Sequence, residues 1–215
     1  MLYCAIIGDI IDSRNMAGRS VIQSKLSSVL TKANDRYKEH IASLFTVTLG
    51  DEFQGLLSGA AAAFDAAEYI QRKMHPVRFR FGIGLGEIIT GIDRDISIGA
   101  DGPAFYRARD MIKKIKSKEN SLLSYQPEIL FQSQGCDDGL INAVAVMYRQ
   151  LERDWTDKQR RYIDCFMDGT ENQYAIAKHF NVKQPSVNRA FERAGLYKYL
   201  FALEQLRNYF KNNNY

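Results

Sequence analysis

The chain reads as a series of short apolar patterns whose period changes several times. Leu2 to Ile10 is apolar almost throughout, broken only near its end by Gly8-Asp9, and is followed by the polar stretch Asp12-Ser13-Arg14-Asn15. So short an apolar run predicts a buried strand that delivers side chains to a loop. Ile22, Leu26, Val29, Leu30, Ala33 and Tyr37 then recur at helical spacing, with Arg19, Lys25, Lys32 and Arg36 on the opposite face. Phe45, Val47 and Leu49 alternate with Thr46 and Thr48, and Gly50-Asp51 separates them from Phe53 to Leu57, which is a hairpin signal. A second helical stripe, Ala60, Phe64, Ala67, Ile70 and Met74, ends before His75-Pro76, since proline disfavours helix in the residue before it. Arg78 to Glu87 alternates again as a strand. Strand, helix, two-stranded hairpin, helix, strand is the order of a ferredoxin-like βαββαβ unit, so the expectation is an α+β fold: an antiparallel sheet with helices on one face.

Beyond it, Ile92 to Asp101 reads as a loop and Pro103 to Lys118 as a basic helix carrying Arg107, Arg109, Lys113, Lys114, Lys116 and Lys118. A solvated face is the default for such a charge run. Ser121 to Gln132 stays open between one strand and two, around Leu122 to Tyr125 and Ile129 to Phe131, because Pro127 breaks any single long one. From Asp138 a helix is expected, with Leu140, Val144, Met147 and Leu151 as its apolar stripe. The domain boundary is placed near its end: residues 1–150 as the α/β domain and 151–215 as an all-α domain. Gly82-Ile-Gly84-Leu-Gly86 has the wrong spacing for a dinucleotide fingerprint and signals close backbone packing.

Capping chemistry divides the C-terminal part into three short helices. Thr156-x-x-Gln159 and Thr170-x-x-Gln173 both have the capping-box form, and Pro185 suits the first turn of the third helix. Tyr162, Ile163 and Phe166, then Ile176, Ala177 and Phe180, then Val187, Ala190, Phe191 and Ala194 are the inward faces, and His179 is expected to be partly buried. Only Asn181-Val182-Lys183 separates the second helix from the third, a turn short enough to force a steep crossing, which predicts a helix-turn-helix. Gln173 to Arg189 resembles sigma-region-4-like and related bacterial DNA-binding modules. The outward face of the third helix would carry Gln184, Ser186, Asn188, Arg189 and Arg193, side chains suited to adenine, guanine and phosphate. Leu196, Tyr199, Leu200, Leu203, Leu206 and Phe210 form a last stripe, read either as packing on the bundle or as a homodimer helix giving paired half-sites.

Composition narrows the classes. The 215 residues, 46% hydrophobic and 25% charged, allow one or two domains with a core of their own. No window approaches the roughly 18 apolar residues of a membrane span. The N-terminal residues lack the basic start of a signal peptide, so no membrane partner and a cytoplasmic location are expected. Cys4, Cys136 and Cys165 are far apart without a CxxC, which fits a reducing compartment. The net charge of +4 is uneven: residues 1–150 hold 18 basic and 17 acidic side chains, and residues 151–215 hold 11 and 8. The smaller part carries most of the excess positive charge.

The candidate chemistry lies in the first part. Asp9 ends the first strand, Asp51 sits at the hairpin tip, and a βαββαβ sheet makes those strands neighbours. Two carboxylates and the carbonyl of Ile10 are oxygen ligands of the kind Mg²⁺ takes, with Asp12 and Glu52 as further candidates, and such a site would clamp a nucleoside triphosphate. The competing reading makes Gly50-Asp51 a plain turn and Asp9 a strand terminator.

Gly8-Asp9-Ile10-Ile11-Asp12-Ser13, Thr48-Leu49-Gly50-Asp51-Glu52-Phe53, Arg80 to Glu87 and Ile98 to Arg109 follow the motif order of class III nucleotidyl cyclases, and the second segment is similar to that of GGDEF diguanylate cyclases. With the helix-turn-helix behind them, they most closely resemble the SatD family of bacterial proteins, across nearly the whole chain. The cyclase resemblance implies Asp9 and Asp51 as metal carboxylates and Arg107 or Arg109 as a catalytic arginine. It also exposes departures: Val47 stands where the base-reading lysine is expected, and Pro103 or Phe105 where the asparagine is expected. Leu49 replaces the first glycine of the GGDEF pattern. The leading expectation is therefore a DNA-binding regulator with a degenerate nucleotide- and metal-binding domain. An active Mg²⁺-dependent cyclase or transferase, and a non-catalytic protein-interaction scaffold, are the alternatives.

Overall fold

A computed structural model of the protein describes all residues except Arg14, Asn15, residues 120–125, Cys136, Glu171 and Asn214. The elements are β1 (Tyr3–Ile10), α1 (Arg19–Arg36), β2 (Ile41–Leu49), β3 (Glu52–Leu57), α2 (Ala60–Met74), β4 (Phe79–Gly86), α3 (Pro103–Glu119), β5 (Ile129–Gln132), α4 (Asp138–Arg153), α5 (Asp157–Met167), α6 (Gln173–His179), α7 (Gln184–Arg193) and α8 (Leu196–Asn212). They form two compact units, Met1–Ala143 with Arg207–Tyr215, and Val144–Leu206.

The first unit is built on a five-stranded sheet in the order β2-β3-β1-β4-β5. β1 lies at its centre, antiparallel to β3 and β4, which explains the unbroken apolar character of its sequence. The first four strands reproduce the expected βαββαβ topology. β5 joins β4 in parallel, so the sheet is mixed rather than purely antiparallel. The expected strand near Leu122 to Tyr125 falls outside the described residues.

The helices are not confined to one face. Phe64 of α2 stacks with Phe131 and with Phe210, on the side of the sheet that also carries Phe53, Phe79 and Phe81. The opposite side presents Ala5, Ile7 and Leu56 to Ala104, Phe105, Ala108 and Ile112 of α3. Glycine makes that second layer: a methyl group on Gly82 or Gly84 would overlap the carbonyl oxygen of Ala108 or Ala104. The helix backbone therefore lies directly on β4, as the glycine repeat suggested.

The stripe of α4 also differs from the expected one. Ile141, Ala145 and Tyr148 are buried, whereas Leu140 and Met147 are 67% and 71% exposed. Residues one position on from Leu140, Val144 and Met147 form the buried face, because more than one apolar register fits this sequence. Arg207–Tyr215 adds to the first unit: Arg207 grips Asp65 through a bond of 2.7 Å, and Tyr209 donates to Asp137 at 2.7 Å.

In the second unit, α5 begins with the expected capping box, in which the Thr156 hydroxyl accepts from Gln159 and the Gln159 side chain reaches back. The α6 cap is Asn172, whose side chain accepts from the Ala175 N–H, in place of the expected Thr170. Asparagine is at least as good a cap as threonine, and here it stands next to the helix. Pro185 occupies the first turn of α7, and Asn181 adopts a left-handed conformation with φ of 50° in the turn before it. Val187 and Phe191 are fully buried, Trp155 donates to the Ala194 carbonyl at 2.8 Å, and Trp155 packs edge-on against Tyr199. His179 is exposed, not partly buried, and lies edge-on to Phe180. Beneath the helices Glu152 bonds both Arg149, at 3.1 Å, and Arg160, with all three side chains under a tenth exposed. Among the described residues no helix is long and apolar enough to cross a membrane.

Candidate functional site

Two places gather the charged residues expected to bind ligands, and they do so in opposite ways. The first is the end of β1. Asp9 is 6% exposed and stands directly across the sheet from Glu52 on one side and Arg80 on the other. The hairpin tip is brought beside it, since the N–H of Ile10 donates to the carbonyl of Asp51 at 3.0 Å. The strand ends meet as expected.

The carboxylates do not share one pocket. Asp9 lies on the α3 side, where Arg80 Nη1 donates to Asp9 Oδ2 at 2.6 Å and Lys116 Nζ approaches the same oxygen at 3.1 Å. Asp51 lines a small cleft with Arg19, Ile22 and Gln23 of α1, and its Oδ2 accepts from the Ser13 hydroxyl at 2.5 Å. Glu52 accepts from Thr48 at 3.2 Å, and Asp12 is exposed in a left-handed conformation with φ of 56°. The Ile10 carbonyl accepts from Arg80 Nη1 at 3.2 Å. One guanidinium nitrogen therefore rests on both oxygens, Asp9 Oδ2 and Ile10 O, expected to ligate a metal.

Arg80 is held from its other edge as well. Its Nε and Nη2 donate to the two oxygens of Glu119 at 2.6 and 2.8 Å, a bidentate pair from the last turn of α3. Burial pulls the guanidinium pKa down, but the hydrogen bonds and charges of Glu119 and Asp9 outweigh that and raise it. Among the described residues no three His, Cys, Asp or Glu side chains are grouped to hold a metal ion. As placed, this donor set does not fit Mg²⁺, which needs free oxygens in near-octahedral array rather than a carboxylate already shared by two cations.

The two candidate catalytic arginines are elsewhere on α3. Arg107 donates to the Leu85 carbonyl and packs over the β4 glycines, and Arg109 is exposed. They precede Lys116 by nine and seven residues, roughly 10 to 13 Å along a helix axis. The residues that do reach Asp9, namely Arg80 and Lys116, and Glu119, which holds Arg80, were not singled out from the sequence as site residues. A cation at an inward position of an alternating strand was the available signal for Arg80.

The second place is a groove of about 490 Å³ between the start of α5 and one face of α7, lined by Thr156, Lys158, Gln159, Ser186, Arg189, Ala190 and Arg193. Ser186, Arg189 and Arg193 share this face because they recur at helical spacing. Lys158 is the cation that sequence reasoning missed, since it belongs to another helix. Among the described residues no carboxylate pairs with Lys158, Arg189 or Arg193.

Gln184 and Asn188 belong to a different face. Gln184 donates to Gln173 Oε1 at 2.5 Å, Gln173 donates to Asn188 at 3.1 Å and to the Tyr197 hydroxyl at 2.9 Å, and Asn188 donates to Glu192 at 2.9 Å. The five side chains expected to meet DNA are thus split between an open basic face and a row of internally bonded amides.

Fold and sites together define a two-unit α+β protein with a closed acid site in one unit and an open basic groove in the other. A model of the SatD family matches residues 3–214, and the chain belongs to that family. No curated protein matches it. Among solved structures it is similar to a bacterial light-regulated adenylyl cyclase, at 16% identity over 72% of this chain and 81% of the other, with a TM-score of 0.42. It is similar also to the guanylyl cyclase domain of the RhoGC fusion protein from the aquatic fungus Blastocladiella emersonii, at 14% identity over 51% of this chain and 71% of the other, with a TM-score of 0.40. A regulator of polyketide synthase expression from Bifidobacterium adolescentis is similar at 14% identity over 94% of this chain and 82% of the other, with a TM-score of 0.33. Identities and scores this low carry no weight for function.

Proposed function

We propose that this SatD-family protein is a DNA-binding regulator. The binding part, beginning near residue 150, is a helix-turn-helix made by α6 and α7, and the α+β part keeps the acid positions of a cyclase-like site without its catalytic arrangement. The observation that carries this reading is the groove in which Lys158, Arg189 and Arg193 converge with no carboxylate among the described residues to neutralise them. Three cations and a hydroxyl on one concave face match the spaced charges of a phosphate backbone, where binding gains from release of condensed counterions. The turn supports it too: only Phe180 to Lys183 separate α6 from α7, with Asn181 left-handed, a connection as short as those of helix-turn-helix motifs.

The faces of α7 assign different roles. Ser186, Arg189 and Arg193 position the protein on phosphates, while Gln184 and Asn188 reach bases only after giving up their bonds to Gln173 and Glu192. Sequence preference is therefore modest, and affinity falls steeply with salt. The test is fluorescence anisotropy of the full chain on a labelled duplex across a salt series. Saturable binding with a slope that shrinks when the groove cations are removed is expected. Absence of binding at about 50 mM salt, with nucleotide and Mg²⁺ added, overturns the reading.

A further inference from the structure

We propose that Arg80 is the resident cation of the acid site at the end of β1, and that this site for that reason takes no divalent metal. The proposal concerns the α+β unit alone and does not depend on DNA binding.

The place a metal would occupy is set by Asp9 Oδ2 and the Ile10 carbonyl, and Arg80 Nη1 bonds both, at 2.6 and 3.2 Å. The arrangement is built in by sheet register, because Arg80 is the β4 residue directly across from Asp9. It is also locked. The two oxygens of Glu119 hold the far edge of the guanidinium at 2.6 and 2.8 Å, so Arg80 cannot swing away without breaking a bidentate charge-assisted pair on α3. β1, β4 and α3 each contribute to one charge-balanced cluster.

A divalent cation entering this cluster would meet two positive groups, Arg80 and Lys116, within hydrogen-bonding reach of its carboxylate. At such separations like charges repel strongly, more so where water is scarce. The second carboxylate that would offset this, Asp51, is turned toward α1 and bonded to Ser13. Lys116, half exposed, is free to move aside; Arg80, 8% exposed and held by four acceptor oxygens, is not. Arg80 is therefore the residue that decides between a guanidinium and a metal.

The experiment is titration of the full chain with Mn²⁺, following the free-ion signal by electron paramagnetic resonance, for the wild type, Arg80→Gln, Asp9→Asn and Arg80→Gln/Asp9→Asn, each checked for folding by circular dichroism. The wild type is expected to show no saturable site that depends on Asp9. Folded Arg80→Gln is expected to gain one site, at least tenfold tighter than anything in the wild type, and the double variant to lose it. Stoichiometric Mn²⁺ binding by the wild type that Asp9→Asn abolishes overturns the proposal, as does a folded Arg80→Gln that gains nothing. Wild-type binding left unchanged by Asp9→Asn places that metal elsewhere and upholds it. The wild-type titration decides the question even if Arg80→Gln fails to fold.

Discussion

The end of β1 and the groove beside α7 use the same kinds of side chain to opposite effect. At β1, Asp9, Arg80, Lys116 and Glu119 satisfy one another almost completely, and little charge is left over for a ligand. In the groove, Lys158, Arg189 and Arg193 face a concave space with no carboxylate among the described residues to meet them. A buried charge must be paired within the protein or it is prohibitively costly, whereas an exposed cation stays available because water solvates it until a partner arrives. Motif and composition alone offer both the acids and the α7 cations as binding residues; pairing within the protein separates them, satisfying the acids and leaving the groove open.

The largest effect that sharpens this contrast is expected inside the helical unit itself. Glu152 lies between Arg149 and Arg160, all nearly inaccessible to water. Glu152→Gln removes the carboxylate that the two buried guanidinium groups share and is expected to cost about 3 to 5 kcal/mol, read as a lower urea midpoint. A variant as stable as the wild type would show that this unit does not depend on pairing its buried charges, and the contrast would lose its basis.

The groove comes next. Replacing Lys158, Arg189 and Arg193 together with alanine is expected to weaken binding to duplex DNA about a hundredfold, or roughly 2.8 kcal/mol, and to lower the salt slope by about two to three units. Unfolding midpoints should hardly move, since none of the three pairs with a carboxylate among the described residues and Lys158 only lies over the ring of Tyr162, 5.9 Å from its centroid. Equal losses of stability and binding would instead make the groove a structural feature. A smaller change is expected from Gly84→Ala on the sheet face under α3, where the added methyl meets the Ala104 carbonyl. Overpacking of that kind costs about 1 to 3 kcal/mol, and because α3 carries Lys116 and Glu119, the same variant should loosen the Asp9 cluster while leaving DNA binding intact.

The smallest effect is a pH slope in the α+β unit. Burial, with the nearby charge of Asp65, pushes the Tyr37 phenol up to about 12. The unfolded phenol ionises near pH 10, so between there and about pH 12 the native state holds the proton that the unfolded state has released. Stability is present below that window and declines as pH rises through it. Tyr37→Phe should show a shallower alkaline decline in the urea midpoint, and an unchanged slope would remove Tyr37 as its source.

Much of the architecture was legible without coordinates. The period-two and helical stripes located β1 through α3 because each amphipathic pattern has one way to bury its apolar face, and Thr156, Pro185 and Asn181 marked helix starts and a turn by local chemistry alone. Asp9 and Asp51 were placed at meeting strand ends for the same reason: the order of elements dictated the pairing of β1 with β3. The α4 stripe was misread because Ile141, Ala145 and Tyr148 fit a helical period as well as Leu140, Val144 and Met147 do. The Asn172 cap was missed because Thr170 offers the same chemistry two residues earlier.

The sequence by itself determined the order of strands and helices, the buried faces of most of them and the residues available for chemistry, since these follow from spacing along one chain. Only the tertiary structure decided how those residues are spent. It set α3 against the glycines of β4, carried Lys116 to Asp9 on a strand more than a hundred residues before it and Glu119 to Arg80, turned Asp9 and Asp51 toward different helices, and joined Lys158 of α5 to the cations of α7. Charge pairing depends on distance in space, and that distance is fixed only when the elements pack.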